Sequence, residues 1–204
     1  MEKFFSLPAE KQSTVIDAAL KAFSANGYKK ASASDIAKAA GISKAMVFHY
    51  FGSKKALYLY LVEFCGTMFI TEINEKFDNT VTDFFDRIRM ASQIEIALMK
   101  KHPAIVSFLA GISFEKDEEI KEDLQTILAS HESFRDKVAF DNLDTFKFKE
   151  HVDPKLVMKM LYWMGEGYAA EMANQPEVDY DAFSKEMDEC LDLLRNNFYR
   201  EEYV

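Results

Sequence analysis

Glycine and proline are scarce in this chain of 204 residues, seven and four respectively, which suits long helices joined by short connections. Cysteine is scarcer. Cys65 and Cys190 stand far apart, fit no metal-ligand spacing and lie in apolar helical contexts, so core packing is expected of them rather than a disulfide or a redox role. No uninterrupted apolar run of about 18 residues occurs, so no membrane span is expected. The opening Met1-Glu2-Lys3-Phe4-Phe5 lacks the basic segment and long apolar run of a secretory signal, and a cytoplasmic location is the expectation. His49, His102, His131 and His151 pair with no Cys, His or carboxylate at metal spacing, and there is neither a glycine-rich phosphate loop nor a nucleophile elbow. No catalytic residue, metal or cofactor is therefore expected.

What the chain has is an ordinary soluble balance, 49% apolar and 29% charged, with 18 Phe and 10 Met to fill irregular apolar space. The net charge of −9 looks wrong for a partner of nucleic acid until it is divided. Residues 1–58 hold nine Lys and four acids, giving +5, so the remainder carries −9 − 5 = −14. A basic head on an acidic body confines an electrostatic footprint to one end.

The chain is organised around Ala33 to Leu57, ASDIAKAAGISKAMVFHYFGSKKAL. Ile36, Ala37 and Ala40 recur at helical spacing, and Ser32 with Asp35 resembles a capping box. Gly41 follows where a left-handed position favours glycine, and Ser43 caps a second short helix with Val47 and Phe51 on its apolar side. Two helices joined by a short glycine turn form a helix-turn-helix, whose second helix enters the major groove. That helix presents Ser43, Lys44, Ala45, Met46, Phe48, His49 and Tyr50. Ser53 starts a third helix with Lys54 and Lys55 in its first turn, where cations oppose the helix dipole. Taken alone, two solvated lysines suffice as an explanation; beside a helix-turn-helix, a phosphate docked on Lys54 is the better one.

Residues Ala33 to Lys44, then Phe48-His49-Tyr50-Phe51 and Ser53 to Leu57, resemble the TetR family of transcriptional regulators. The likeness extends back through Ala18-Ala19 and Ala22-Phe23 to Gly27-Tyr28, and covers about the first 60 residues. Ala45, where the family often has glycine, and Met46-Val47 depart from the pattern. The resemblance implies an all-α chain with a three-helix DNA-binding domain over residues 1–55 and a helical effector-binding and dimerisation domain over 56–204. The expected contacts to double-stranded DNA are Ser32, Ser34, Ser43, Lys44, Ala45, Met46, Phe48, His49, Tyr50 and Lys54. The family's bodies hold an effector pocket between their middle helices, for which Phe64, Met68, Ile94, Phe108, Phe134 and Trp163 are the candidate walls; an ordinary helical core uses the same residue types.

Elsewhere the periodicity predicts a short arm over 1–6 and a helix capped by Ser6 that ends at Asn26-Gly27. A long helix follows from Ser53 to about Phe77, and others run from Thr80 or Thr82 to Lys101, from Ala104 to Phe114, and from Leu124 to about Phe148. The last two, Pro154 to about Met172 and Tyr180 to Tyr199, are apolar on faces broad enough to form a four-helix dimer interface with a second copy. Glu166 and Glu171, in the first of these, could face a cavity, though such residues more often reach solvent. The combined expectation is a homodimeric repressor released from a palindromic operator by a small, largely apolar effector. Its rivals are a helical small-molecule carrier or enzyme with a vestigial head, and a DNA-bound structural or division factor that ignores small molecules.

Overall fold

The structure is a computed structural model that describes residues 1–112, 114–173, 175 and 178–204. The described residues form ten α-helices: α1 (Glu2–Phe5), α2 (Ala9–Lys30), α3 (Ala33–Ala39), α4 (Lys44–Phe51), α5 (Lys54–Lys76), α6 (Phe84–Lys101), α7 (Pro103–Ile112), α8 (Lys121–Phe140), α9 (Pro154–Ala173) and α10 (Tyr180–Phe198). Among those residues the extended pairing is one isolated antiparallel bridge, Phe148 with Tyr199. The all-helical expectation holds.

Packing divides the chain into two compact units, Met1–Thr67 with His102–Ala129, and Met68–Lys101 with Ser130–Val204. The cut at residue 55 drawn on motif and the division drawn on packing differ, because residues 102–129 join the first unit. The cause is α7, whose sequence PAIVSFLAGI buries Ile105, Val106, Phe108, Ala110 and Ile112 against α2. Phe23, Tyr58 and Phe108 meet edge to face there, at 5.0 and 5.3 Å between ring centroids. Helices α5 and α8 each start in the first unit and finish in the second.

Two expectations for the N-terminus are corrected. Residues 1–6 are not an arm: they form α1, and Phe4 is wholly buried. Ser6 does not cap α2, because Pro8 occupies that position and the Ser6 hydroxyl donates to the Lys3 carbonyl at 2.9 Å. The helix expected to reach Phe148 ends at Phe140, after which Asn142 turns left-handed and a single 3₁₀ turn covers Thr145–Lys147.

In the second unit Phe84, Phe85, Phe148 and Tyr199 form a core with Val157, Leu161, Met187 and Leu191. The chain end is stitched to it by Lys149 N to Phe198 O (2.9 Å) and Arg200 N to Lys147 O (3.0 Å). Ion pairs brace α6 against α10: Arg89 with Asp188 (3.0 Å) and Asp192 (2.6 Å), and Arg195 with Asp86 (2.8 Å) and Asp83 (3.2 Å). Arg87 is fully buried; its Nε donates to Val138 O (2.7 Å), its Nη1 to Val81 O (2.5 Å), and its guanidinium lies 4.9 Å from the centre of the Phe77 ring. Burial lowers its pKa.

The expectation that no segment could span a membrane is also qualified. Helix α5 is long and apolar enough by composition, with mean hydropathy 1.4 over its best window, and 33% of that window is buried within the fold. Core helices share those properties.

The Tyr199 hydroxyl accepts a hydrogen bond from the Phe84 amide at 3.2 Å, in a buried setting. Tyr199→Phe should strand that amide and lower stability by about 1–3 kcal/mol. Urea unfolding measures it; an unmoved midpoint would show that the Phe84 amide has another acceptor.

Candidate nucleic-acid interface

The interface is built by a turn and three caps. Helix α3 starts with Ser32 Oγ accepting from Ser34 N at 3.1 Å, one residue short of the expected capping box. It closes with Ile42 N on Ala37 O (3.0 Å) and Gly41 N on Lys38 O (3.3 Å), the paired bonds of a Schellman closure. Gly41 has φ +66 with nothing near its missing Cβ, so the demand for glycine comes from the backbone, not from crowding. Ser43 Oγ then accepts from Met46 N (3.3 Å), and Ser53 Oγ from Ala56 N (3.0 Å), starting α4 and α5.

Helix α4 is two-faced. Val47, Tyr50 and Phe51 turn inward, while Ser43, Lys44, Ala45, Phe48 and His49 are exposed and Met46 is partly so. Between Asp35 and Glu63 the chain has no carboxylate. Exposed Lys38, Lys44 and His49 therefore lie in a stretch with no acid of its own, and exposed Lys29 and Lys30 follow Tyr28, whose amide donates to Glu115 at 2.9 Å. Lys29, Lys30 and Lys38 are additions to the expected set, and the +5 charge of residues 1–58 was their signal. The first arginine of the chain is Arg87, so the head has no fork-shaped donor for guanine. What α4 offers a groove is a lysine, small hydroxyl and imidazole donors, and the apolar surface of Ala45, Met46 and Phe48.

Two of the expected contact residues are placed differently. Tyr50 is 7% exposed, with its ring turned to the inside of the head. Lys54 is occupied: its ammonium donates to Tyr28 O (2.8 Å), Lys29 O (3.1 Å) and Ala31 O (3.4 Å) and lies 4.5 Å from the centre of the Tyr28 ring. Those carbonyls belong to the single turn that follows the break in α2 at Gly27 (φ +67), whose acceptors the ammonium satisfies. Lys55 is held by Asp123 at 2.6 Å, and that hydrogen bond raises its pKa. Ser34 is exposed and Ser32 partly so.

The expected effector residues fall in both units. Phe108 is core of the first, packed on Phe23 and Tyr58. Phe64, also in the first, is partly buried against Tyr60. In the second, Met68, Ile94 and Phe134 are partly buried, and Trp163 is 55% exposed with the Lys159 ammonium 5.0 Å from its ring. A polar group also lies in this unit. Desolvation raises the pKa of Glu95 on α6, the charge of Arg135 on α8 opposes that rise, and Arg135 covers the Tyr162 ring at 4.8 Å. Tyr162 and Glu166 share a 3.0 Å hydrogen bond on α9. Helical spacing through Ile88, Ala91 and Leu98 leaves Ile94 or Glu95 as the core-side position, so Glu95 was one of two readings. An open depression of about 550 Å³ is lined by Lys100, Val178, Asp179, Tyr180 and Asp181, none of them expected. Among the described residues no three His, Cys, Asp or Glu side chains gather as a metal site. Burial pushes the Cys65 thiol up to about 12.

Comparison with known proteins gives three findings. Residues 15–61 match the model of the bacterial regulatory proteins of the tetR family. The nucleoid occlusion factor SlmA of Vibrio campbellii is 30% identical over 88 residues, 43% of this chain and 44% of that one, so the match spans under half of that relative's length. The fatty acid metabolism regulator protein of Bacillus subtilis is 22% identical over 87% of this chain and 91% of its own. In fold, the chain resembles the transcriptional regulator FadR from Bacillus subtilis in complex with stearoyl-CoA, with TM-score 0.73 at 20% identity over 88% and 96% of the two chains.

Lys54→Met should lower thermal stability by about 1 kcal/mol, because three carbonyls lose a cationic donor in a partly exposed setting. Lys44→Ala, at an exposed position, should leave the melting temperature unchanged. Equal melting of Lys54→Met and the parent protein would refute the capping role.

Proposed function

We propose that the chain, whose residues 15–61 match the model of the tetR family of bacterial regulatory proteins, is a sequence-specific DNA-binding repressor of that family, released from its operator by a small, largely apolar effector. The observation that carries this reading is α4: its back is buried, its front is bare of acid, and its first turn is free for base edges. Lys44 and His49, with Lys29, Lys30 and Lys38, supply phosphate contacts; Ser43, Ala45, Met46 and Phe48 face the bases. With no arginine in the head, discrimination rests on hydroxyl donors and on apolar contact with thymine methyl groups. This division of labour keeps residues 1–55 as the DNA-binding head, with Lys54 and Tyr50 as its supports.

The effector belongs to the second unit, where Met68, Ile94 and Phe134 supply apolar surface and Glu95 with Arg135 a polar anchor. A fatty-acyl thioester is the first ligand to try, because the stearoyl-CoA complex of FadR has the same fold. To shift a conformer ratio from 1:99 to 99:1 the effector must bind one state better by about 5.5 kcal/mol. The repressor works in the cytoplasm as a homodimer through α9 and α10. Leu156, Met160, Trp163 and Gly167 follow one another along one side of α9, and Leu193 on α10 is 63% exposed; such side chains call for cover. Met187 on α10 is core of its own chain and takes no part in this face. A second reading, a DNA-bound division factor without an effector, is favoured by the likeness to SlmA.

Selection of sites from a random duplex pool tests the proposal. The expected result is a near-palindrome, whose affinity falls when thymines in the half-site are replaced by deoxyuridine and when stearoyl-CoA is added. Loss of no affinity on thymine replacement would overturn the methyl readout. An operator that ignores acyl-CoA and a wider effector screen would shift the assignment to the division factor, and no enriched site at all would overturn DNA reading. For the dimer, Trp163→Glu with Leu193→Glu should convert it to monomer in sedimentation by setting charge in a buried patch. A persistent dimer would place the interface elsewhere.

A further inference from the structure

We propose that α1 is a clamp on the DNA-reading helix and that Phe4 is a positioning residue for operator recognition. This rests on the reading of α4 as the helix that enters the groove. The family match covers residues 15–61 and does not include α1.

Phe4 is 0% exposed, although it is the fourth residue of the chain. Its ring lies 4.7 Å from Phe51 and 6.0 Å from Tyr50, both on the inward face of α4, and 5.8 Å from Tyr60 on α5. It is thus a wedge between the back of the reading helix and the helix that follows. The wedge is fixed from the other side: Gln12 Nε2, in the first turns of α2, donates to Leu7 O (2.8 Å) and Phe5 O (3.2 Å). Phe5, in contrast, is 56% exposed and touches only the outer edge of the cluster, at 5.6 Å from Phe4 and 6.0 Å from Tyr60.

The physical need is clear from the length of α4. Eight residues are too few to hold a helix in water without tertiary support. Its inward side chains are Val47, Tyr50 and Phe51, and Phe4 packs on two of the three. Removing the Phe4 ring leaves a void behind Tyr50 and Phe51 that α4 can sink into or rock upon. A small displacement of α4 spoils contacts to base edges, which are geometric, and spares the general attraction of lysines to phosphate, which is not. Phe4 should therefore govern the ratio of operator to unrelated-duplex affinity.

The test compares Phe4→Ala, Phe4→Leu and Phe5→Ala in the full chain. Affinities for the selected operator and for an unrelated duplex are measured well below each melting temperature, with amide hydrogen exchange along α4. The expected result for Phe4→Ala is an operator affinity lower by about tenfold, unchanged unrelated-duplex binding and salt slope, and faster exchange at Val47 to Phe51. Phe4→Leu should recover most of the loss, and Phe5→Ala should match the parent. If Phe4→Ala does not fold, Phe4→Leu must itself show a measurable part of the loss. An unchanged affinity ratio in a destabilised Phe4 variant would overturn the positioning role and leave Phe4 as mere core. Should the parent chain select no operator, the repressor reading fails, and exchange in α4 still decides the clamp: unchanged rates overturn it.

Discussion

An eight-residue helix cannot hold itself, and most of the first unit can be understood as the support that α4 requires. It must keep one face bare for a groove, so only the other face can be buried. Three side chains, Val47, Tyr50 and Phe51, carry that burial. The Schellman closure at Gly41 fixes the angle at which the chain leaves α3, and Ser43 fixes where α4 begins. Phe4 closes the remaining side. Helix α7 in turn covers α2, so that the frame behind the motif is drawn from residues far along the chain.

Charge in the head is distributed by the same economy. Nine lysines look interchangeable in the sequence, yet they do different things. Lys54 is absorbed in closing α2, and Lys55 in holding Asp123. Lys29, Lys30, Lys38 and Lys44 face solvent, and α4 carries no acid, Asp35 at the start of α3 being the nearest carboxylate in the motif. The proposed attraction to phosphate comes from these, and the absence of arginine leaves base reading to small donors and methyl-sized apolar surface.

The second unit has another kind of problem, that of polar groups inside an apolar bundle. Arg87 is accommodated in part, by two carbonyls and an aromatic face with its buried Nη2 left unpartnered, and Asp83 by Lys147 and Arg195. Glu95 is less fully accommodated: it is desolvated, and the charge of Arg135 offsets that only in part. A group of this kind, among partly buried Ile94 and Phe134, is what the proposed effector would meet.

Most local rules were legible in the sequence, although Ser6 does not cap α2 and Ser32 takes the amide of Ser34 rather than that of Asp35. Ser43, Ser53 and Asp153 cap the helices their positions announced, Gly41 turns where its neighbours end, and the segregation of charge was a matter of counting. These features depend on residues within four or five positions of one another, and the sequence is a complete statement of such neighbourhoods. Tertiary structure alone decided which lysines are free, that Tyr50 and Phe108 turn inward, that Phe4 is buried while Phe5 is not, and that Met187 serves its own core. Periodicity says that a face is apolar and nothing about which face will meet it. Phe4 and Phe5 are adjacent and chemically the same; only the position of α4 and α5, brought together from some 50 residues away, makes one of them a wedge and the other a surface residue.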